Sequence, residues 1–307
     1  VAHVAFLFDF FILRSVIKGL AASIVASVLF GGLYYMAPFL APLDGEQIFG
    51  WRVLCTLPFT TLLLLGLKQG ARVRLLWVRV RRTPLLALAL LASAGMLGLQ
   101  LWVFLWAPLH GRALPVSLGY FLLPLVMVLA GRLLFNERLS PLQWAATLLA
   151  GVGVAHEVVR AGGMSWETWL VSLGYTAYFV MRRVLRTDHL GGHWLDMLLL
   201  APVALWFVLR PPTSWPLVTD NAHLWALVPV LGVVSAVALA LYMAAARWLP
   251  LALFGLLSYV EPVLLALVAM LLGESIAPGQ WPTYGPIFAA VGLLVLDGAL
   301  RLRRAQG

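Results

Sequence analysis

With 307 residues, 63% hydrophobic and only 11% charged, the chain is unlike a soluble domain, in which about a quarter of residues carry charge. A bilayer span needs roughly 20 apolar residues, so about ten spans with short connections use nearly the whole length and leave no room for a soluble domain. The excess of 21 Lys and Arg over 12 Asp and Glu lies between apolar runs and beside their ends, a pattern of membrane topology and not of nucleic-acid binding.

Residues 1–15 form an apolar stretch broken by Asp9, too short to span and read as an interfacial or disordered leader; no small-residue cleavage site follows. Apolar runs at 16–40, 47–67, 84–107, 111–133, 141–158, 166–186, 193–210, 223–247, 250–272 and 280–300 predict an all-α membrane protein of ten transmembrane helices. Two of them, 141–158 and 193–210, are short for a span, and the second carries Pro202. Residues 302–307 make a basic tail. With the N-terminus inside, 17 Lys and Arg fall on the cytoplasmic side and only Arg52, Arg112, Arg160 and Arg210 outside, as an even number of spans with both termini cytoplasmic requires. Tryptophans near run ends, among them Trp51, Trp77, Trp166, Trp194 and Trp281, suit the headgroup level.

One motif occurs twice. Glu137-Arg-Leu-Ser-Pro141-Leu-Gln143-Trp144 and Glu274-Ser-Ile-Ala-Pro278-Gly-Gln280-Trp281 both fit E-x-x-x-P-x-Q-W. Each copy follows a helix with an internal proline, Pro124 or Pro262, preceded by Tyr120 or Tyr259, and each precedes one more helix. Proline fits the first turn of that next helix, where its missing N–H costs nothing. The halves are 16–160 and 166–301. Each holds five helices, an odd number, so the second half inserts upside down relative to the first. Inverted repeats around a midplane site are characteristic of secondary transporters.

These residues resemble a known family. Ten helices in two five-helix halves, with Glu-Arg-Leu-Ser after the fourth and Glu-Ser after the ninth, resemble the EamA domains of the drug/metabolite transporter superfamily. Ala26-Ser-Val-Leu-Phe-Gly31, Ala41-Pro-Leu-Asp-Gly45-Glu46, Phe49-Gly-Trp-Arg52, Gly119-Tyr-Phe-Leu-Leu-Pro124 and Ser258-Tyr-Val-Glu261-Pro262 are similar to the RarD-type branch, over essentially 16–301. The resemblance implies transport across a bacterial inner membrane, with both termini cytoplasmic, and does not name the cargo.

An ionisable residue inside a span costs about 2.5–3.5 kcal/mol at the helix centre on insertion scales, so each needs a reason. Glu261 is the deepest. Pro262 directly after it cannot donate to residue 258, which frees a carbonyl near Ser258 at the same depth. A proton-coupling carboxylate, a contact for a substrate amine and a structural partner for arginine are the open readings of Glu261. Arg52, near the outer end of the second helix with Thr56 and Thr60 on its face, is its natural counterpart: a clamp for a substrate carboxylate, a gate against Glu261, or a snorkelling side chain. Tyr34, Gln100, Tyr120, Tyr175, Tyr178, Tyr242, Ser258 and Tyr259 complete an aromatic, weakly polar lining, with Pro124 and Pro262 as helix breaks. Ser23, Ser27 and Gly31 form a small-residue packing face. Asp196 and Asp297, near helix ends, are read as interfacial.

Cys55 stands alone, so no intramolecular disulfide forms, and no Cys or His cluster has metal-ligand spacing; no metal or cofactor is expected. The sequence also lacks a Walker-type phosphate loop, H-E-x-x-H and G-x-S-x-G. The reading is therefore secondary transport of a small amphipathic, amino-acid-like or aromatic metabolite or drug by alternating access, with protons as a candidate coupling ion. A membrane-embedded enzyme, a lipid-handling protein and a non-transporting sensor are the alternatives.

Overall fold

Helices and turns account for the secondary structure of the described residues, in a computed structural model that describes residues 2–109, 112–210, 214–261, 263–264 and 278–306. In chain order the helices are α1 (Ala2–Met36), α2 (Gly45–Gly66), α3 (Gly70–Arg82), α4 (Pro84–Leu109), α5 (Ala113–Phe135), α6 (Pro141–Arg160), α7 (Trp166–Val184), α8 (Leu190–Leu209), α9 (Trp215–Thr219), α10 (Ala222–Trp248), α11 (Leu251–Leu257) and α12 (Trp281–Gln306). Among them, 7 carry stretches long and apolar enough to cross a membrane: those in α1, α2, α4, α5, α6, α8 and α10. The short runs at 141–158 and 193–210 both extend to full 20-residue helices, α6 and α8, and α8 runs through Pro202. By contrast α7 places Glu167, Arg182 and Arg183 within 19 residues. Residues 265–277, which include Glu274, lie outside the described residues, as does Pro262.

Helix starts follow from local chemistry. Asp44 caps α2, with Gln47 N–H donating to its Oδ1 at 2.7 Å while the Gln47 side chain accepts from Asp44 N–H at 3.1 Å. Ser140 and Gln143 repeat this reciprocal cap at α6, where Pro141 occupies the first turn. The doubled motif is thus in part a helix-start signal. Its second copy has Ala277 where Ser140 stands, so no hydroxyl is available to cap, and the chain there makes a 3₁₀ turn, Pro278–Gln280, before α12.

Two elements depart from the expected layout. The leader does not stand apart, since α1 runs unbroken from Ala2. Between α2 and α4 the chain forms an additional helix, α3. It buries Leu76 against Leu86 and Leu90 and carries five arginines, while Leu75, Trp77 and Val78 remain exposed. Arg79 of α3 donates to the Leu185 carbonyl at 2.9 Å, tying it to the end of α7.

Helix pairing sets the core. α1 lies along α10, α2 along α8 and α10, α4 along α7 and α8, α5 along α7 and α11, and α6 along α12. Close approach relies on missing side chains: a Cβ on Gly153 would stand 2.6 Å from the Thr283 carbonyl oxygen, and one on Gly232 2.5 Å from the Cys55 Cβ. Ser23, Ser27 and Gly31 are all buried in α1, in keeping with a packing face.

Buried polar contacts fasten the ends of the bundle. Asp297, expected at the interface, is buried and accepts from Ser140 Oγ at 3.1 Å and Gln143 Nε2 at 2.9 Å. At the opposite end of the same seam, Thr283 Oγ1 donates to Glu157 Oε2 at 2.7 Å. Glu137 is more than a hairpin residue. Its carboxylate accepts from the N–H groups of Leu251 and Ala252 at 2.7 and 2.8 Å, capping α11, and pairs with Arg183 at 2.8 Å.

Candidate functional site

The helix that follows α11 is broken. After Leu257 the chain turns at Ser258 and Tyr259 and resumes helical geometry at Val260 and Glu261. The Ser258 carbonyl is not left free, because Glu261 N–H donates to it at 3.2 Å. The break brings Glu261 into the bundle from one side. Arg52 of α2 enters from another, buried at 9% exposure, with its Nε donating to Ser235 Oγ of α10 at 3.1 Å. Arg52 and Glu261 are near enough to interact electrostatically, and both reach Tyr120 and Tyr175 in the same way. They do not form a direct ion pair, unlike the Arg182–Asp196 and Arg183–Glu137 pairs elsewhere in the chain. A cation and an anion held apart in this way can each engage a ligand.

Aromatic rings close the space around them. Tyr120 and Tyr175 lie with ring centroids 6.0 Å apart, and Tyr175 stacks on Phe179 at 6.5 Å. Phe179 meets Tyr242 edge-on at 5.6 Å and Phe254 at 5.0 Å, while Tyr242 and Phe254 are 4.7 Å apart. Phe30 adds an edge to Tyr242 at 5.6 Å and Phe104 one to Tyr120 at 5.9 Å. One box therefore draws rings from α1, α4, α5, α7, α10 and α11.

Five of the sequence candidates, Arg52, Tyr120, Tyr175, Tyr242 and Glu261, are brought together here. Others are placed elsewhere. Tyr259 is fully buried and donates to the Phe121 carbonyl at 2.9 Å, away from the box. Ser258 Oγ turns back onto the Gly255 carbonyl at 2.6 Å. Gln100 ties α4 to α7 through the Leu170 carbonyl at 2.8 Å. Tyr178 points away from Glu261 and donates to Asp196 at 2.9 Å. Asp196, read as interfacial, is fully buried. Pro124 does not interrupt α5, and its carbonyl faces Gly255 of α11. The Tyr34 side chain lies outside the described residues.

The phenylalanines of the box were not among the candidates, although Phe179 stands four residues after Tyr175 and so shares its helix face. Phe30 and Phe254 carry no comparable sequence signal, because an apolar ring in an apolar helix looks like any other packing residue.

Fold and site together define a multi-pass helical membrane protein with an internal charged and aromatic site, the architecture of a small-molecule transporter. Comparison with known proteins agrees. The chain is 43% identical to the chloramphenicol-sensitive protein RarD of Pseudomonas aeruginosa, over 94% of this chain and 96% of that one. It is 41% identical to an uncharacterized transporter of Pasteurella multocida, covering 94% and 99%. Protein RarD of Salmonella typhimurium is 28% identical over 94% and 97%. The chain belongs to the RarD-type family of bacterial transporters. No protein-family model matches it. A solved crystal structure superposes with a TM-score of 0.64 at 19% identity, covering 91% of this chain and 98% of that one, a likeness of fold.

Proposed function

We propose that the chain is a secondary transporter that exports or exchanges a small amphipathic, amino-acid-like or aromatic metabolite or drug by alternating access around the box between its two halves. The observation that carries this reading is the separation of Arg52 and Glu261 within a ring of aromatic side chains drawn from both halves. Such a lining suits a solute with a planar body and one or two polar ends better than a phosphorylated one. Glu261 is assigned to proton coupling or to a substrate amine.

Helix pairing supports the inverted repeat. Counting spans as α1, α2, α4, α5, α6, then α7, α8, α10, the α11 segment and α12, exchange of each span for the one five places on turns α1–α10 into α7–α4 and α2–α10 into α8–α4. It maps α2–α8, α5–α11 and α6–α12 onto themselves. Rocking of one half on the other then opens the site to alternate sides. The basic residues of α3, and those ending α5, α7 and α10, gather at one end of the bundle, which supports assigning that end to the cytoplasm. We assign the chain to the bacterial inner membrane with both termini inside.

Flux into proteoliposomes across a panel of amino acids, nucleosides and amphenicols tests the reading. Glu261→Gln is expected to abolish pH-gradient-driven flux while leaving counterflow, and Arg52→Ala to weaken substrate affinity. A purified chain that moves no solute yet chemically modifies one overturns it.

A further inference from the structure

A second polar cluster lies one side-chain layer from the box, toward the end of the bundle that carries α3. It comprises Ser93 of α4, Tyr178 and Arg182 of α7, and His193 and Asp196 of α8, all 1% exposed or less. Asp196 Oδ2 accepts from Arg182 Nη1 and from the Tyr178 hydroxyl, each at 2.9 Å, and Arg182 Nη2 donates to the His189 carbonyl at 3.3 Å. These bonds leave much of the cluster unsatisfied. Arg182 Nε, Asp196 Oδ1, Ser93 Oγ and both ring nitrogens of His193 have no hydrogen-bond partner at bonding distance, although Ser93 stands near enough to Asp196 to interact with it electrostatically. Across the described residues eight buried side-chain atoms lack a partner, and these five account for most of them. Buried polar groups are normally satisfied, and a concentration of orphans at one place needs a ligand.

The composition of the cluster specifies that ligand. Arg182 repels a cation and Asp196 repels an anion. The unused valences include a donor (Arg182 Nε), an acceptor (Asp196 Oδ1) and the two unpartnered ring nitrogens of His193. A small, neutral molecule able both to donate and to accept is required. We propose that Ser93, Arg182, His193 and Asp196 enclose an internal water site; at about three hydrogen bonds per buried water, roughly two waters satisfy the five orphan atoms. Gly192 contributes by absence, since a Cβ there would stand 2.7 Å from Arg182 Nη2 and crowd the guanidinium.

Position gives the site a role. Tyr178 approaches Met243 Sδ at 3.8 Å, and Phe179 and Tyr242, their neighbours in sequence, belong to the box. Tyr178, Phe179 and Met243 therefore form a partition with the water site on one face and the box on the other. The water site is the station at which solvent from the cytoplasm waits behind that partition. This role rests on the transport reading and its orientation, whereas the water itself does not.

X-ray hydroxyl-radical footprinting of the intact chain in nanodiscs with ¹⁸O-labelled water separates the two. His193 is expected to take up ¹⁸O at a rate within about tenfold of the exposed His223, because radicals form at bound water. His193 as protected as the buried Met127, after correction for intrinsic reactivity, overturns the site. Labelled His193 in a chain that shows no flux for any solute removes the transport role and leaves the water site standing; unlabelled His193 in a chain with flux removes the water site alone.

Discussion

Replacement of Glu137 by alanine tests whether one side chain holds the broken helix in place. The change removes the acceptor for the N–H groups of Leu251 and Ala252 and the partner of Arg183. Arg183 is 27% exposed and can turn to water, so its share is that of a surface pair, about 0–1 kcal/mol. Leu251 and Ala252 are each 2% exposed and have no such recourse. Two hydrogen bonds to a charged acceptor contribute about 1.5–3 kcal/mol each, so with the ion pair the total loss is roughly 3–7 kcal/mol. For a chain of this size the apparent melting temperature then falls by about 5–11 °C. Cys55, the sole cysteine, lies partly buried against Gly232, so a thiol-reactive fluorophore reports unfolding in detergent without any introduced label. Glu137→Gln, which keeps an oxygen acceptor, is expected to lose less than Glu137→Ala. A Glu137→Ala protein melting within about 2 °C of the parent refutes the capping role.

Gly131→Ala should reproduce much of that loss through the backbone, because the added Cβ would stand 2.6 Å from Glu137 Oε2 and 2.9 Å from Ala252 N. In α6, Gly153→Ala should lower the same melting temperature, whereas Gly151→Ala, whose Cβ meets nothing within 4 Å, should leave it unchanged or raise it by helix propensity. His189, between α7 and α8, is held down to about 4 from 6.5 by burial first and then by Arg182 and neighbouring arginines. The unfolded chain therefore binds the extra proton more readily, and His189 contributes a loss of stability as pH falls from 6.5 toward 4. The unprotonated Nδ1 also caps α8 by accepting from Gly192 N–H at 3.1 Å. Melting in that pH window should be flatter for His189→Asn, which keeps a capping oxygen; an unchanged slope removes His189 from the pH response.

How far the sequence carried the fold depended on the kind of signal. Apolar runs located most of the described helices closely, because they report on burial in an apolar medium and need no knowledge of packing. The motif around Ser140 was legible as a helix start but not as a seam, since its bonds to Asp297 join positions 154 and 157 residues apart. The helix α3 was hidden because its arginines were counted for sidedness and its Leu76 stripe is one turn deep. At the site, charge was informative and ring identity was not: Arg52 and Glu261 stand out against apolar neighbours, while Tyr178 and Tyr175 are three residues apart on one helix and only the fold decides which of them faces the box. The buried Arg182–Asp196 pair was missed because each residue lies near a helix end, where exposure is the ordinary outcome.

The basic helix α3 joins two environments that are otherwise kept apart. Its exposed Leu75, Trp77 and Val78 and its arginines have the mixed apolar and basic character that suits a headgroup layer, with Arg81 seated over the Trp77 ring at 5.0 Å. Through Arg79 it grips the carbonyl that ends α7, the helix supplying both Tyr175 and Phe179 to the box. A displacement of α3 is thus passed to the end of that helix, so the basic surface and the aromatic box are mechanically joined by one side chain.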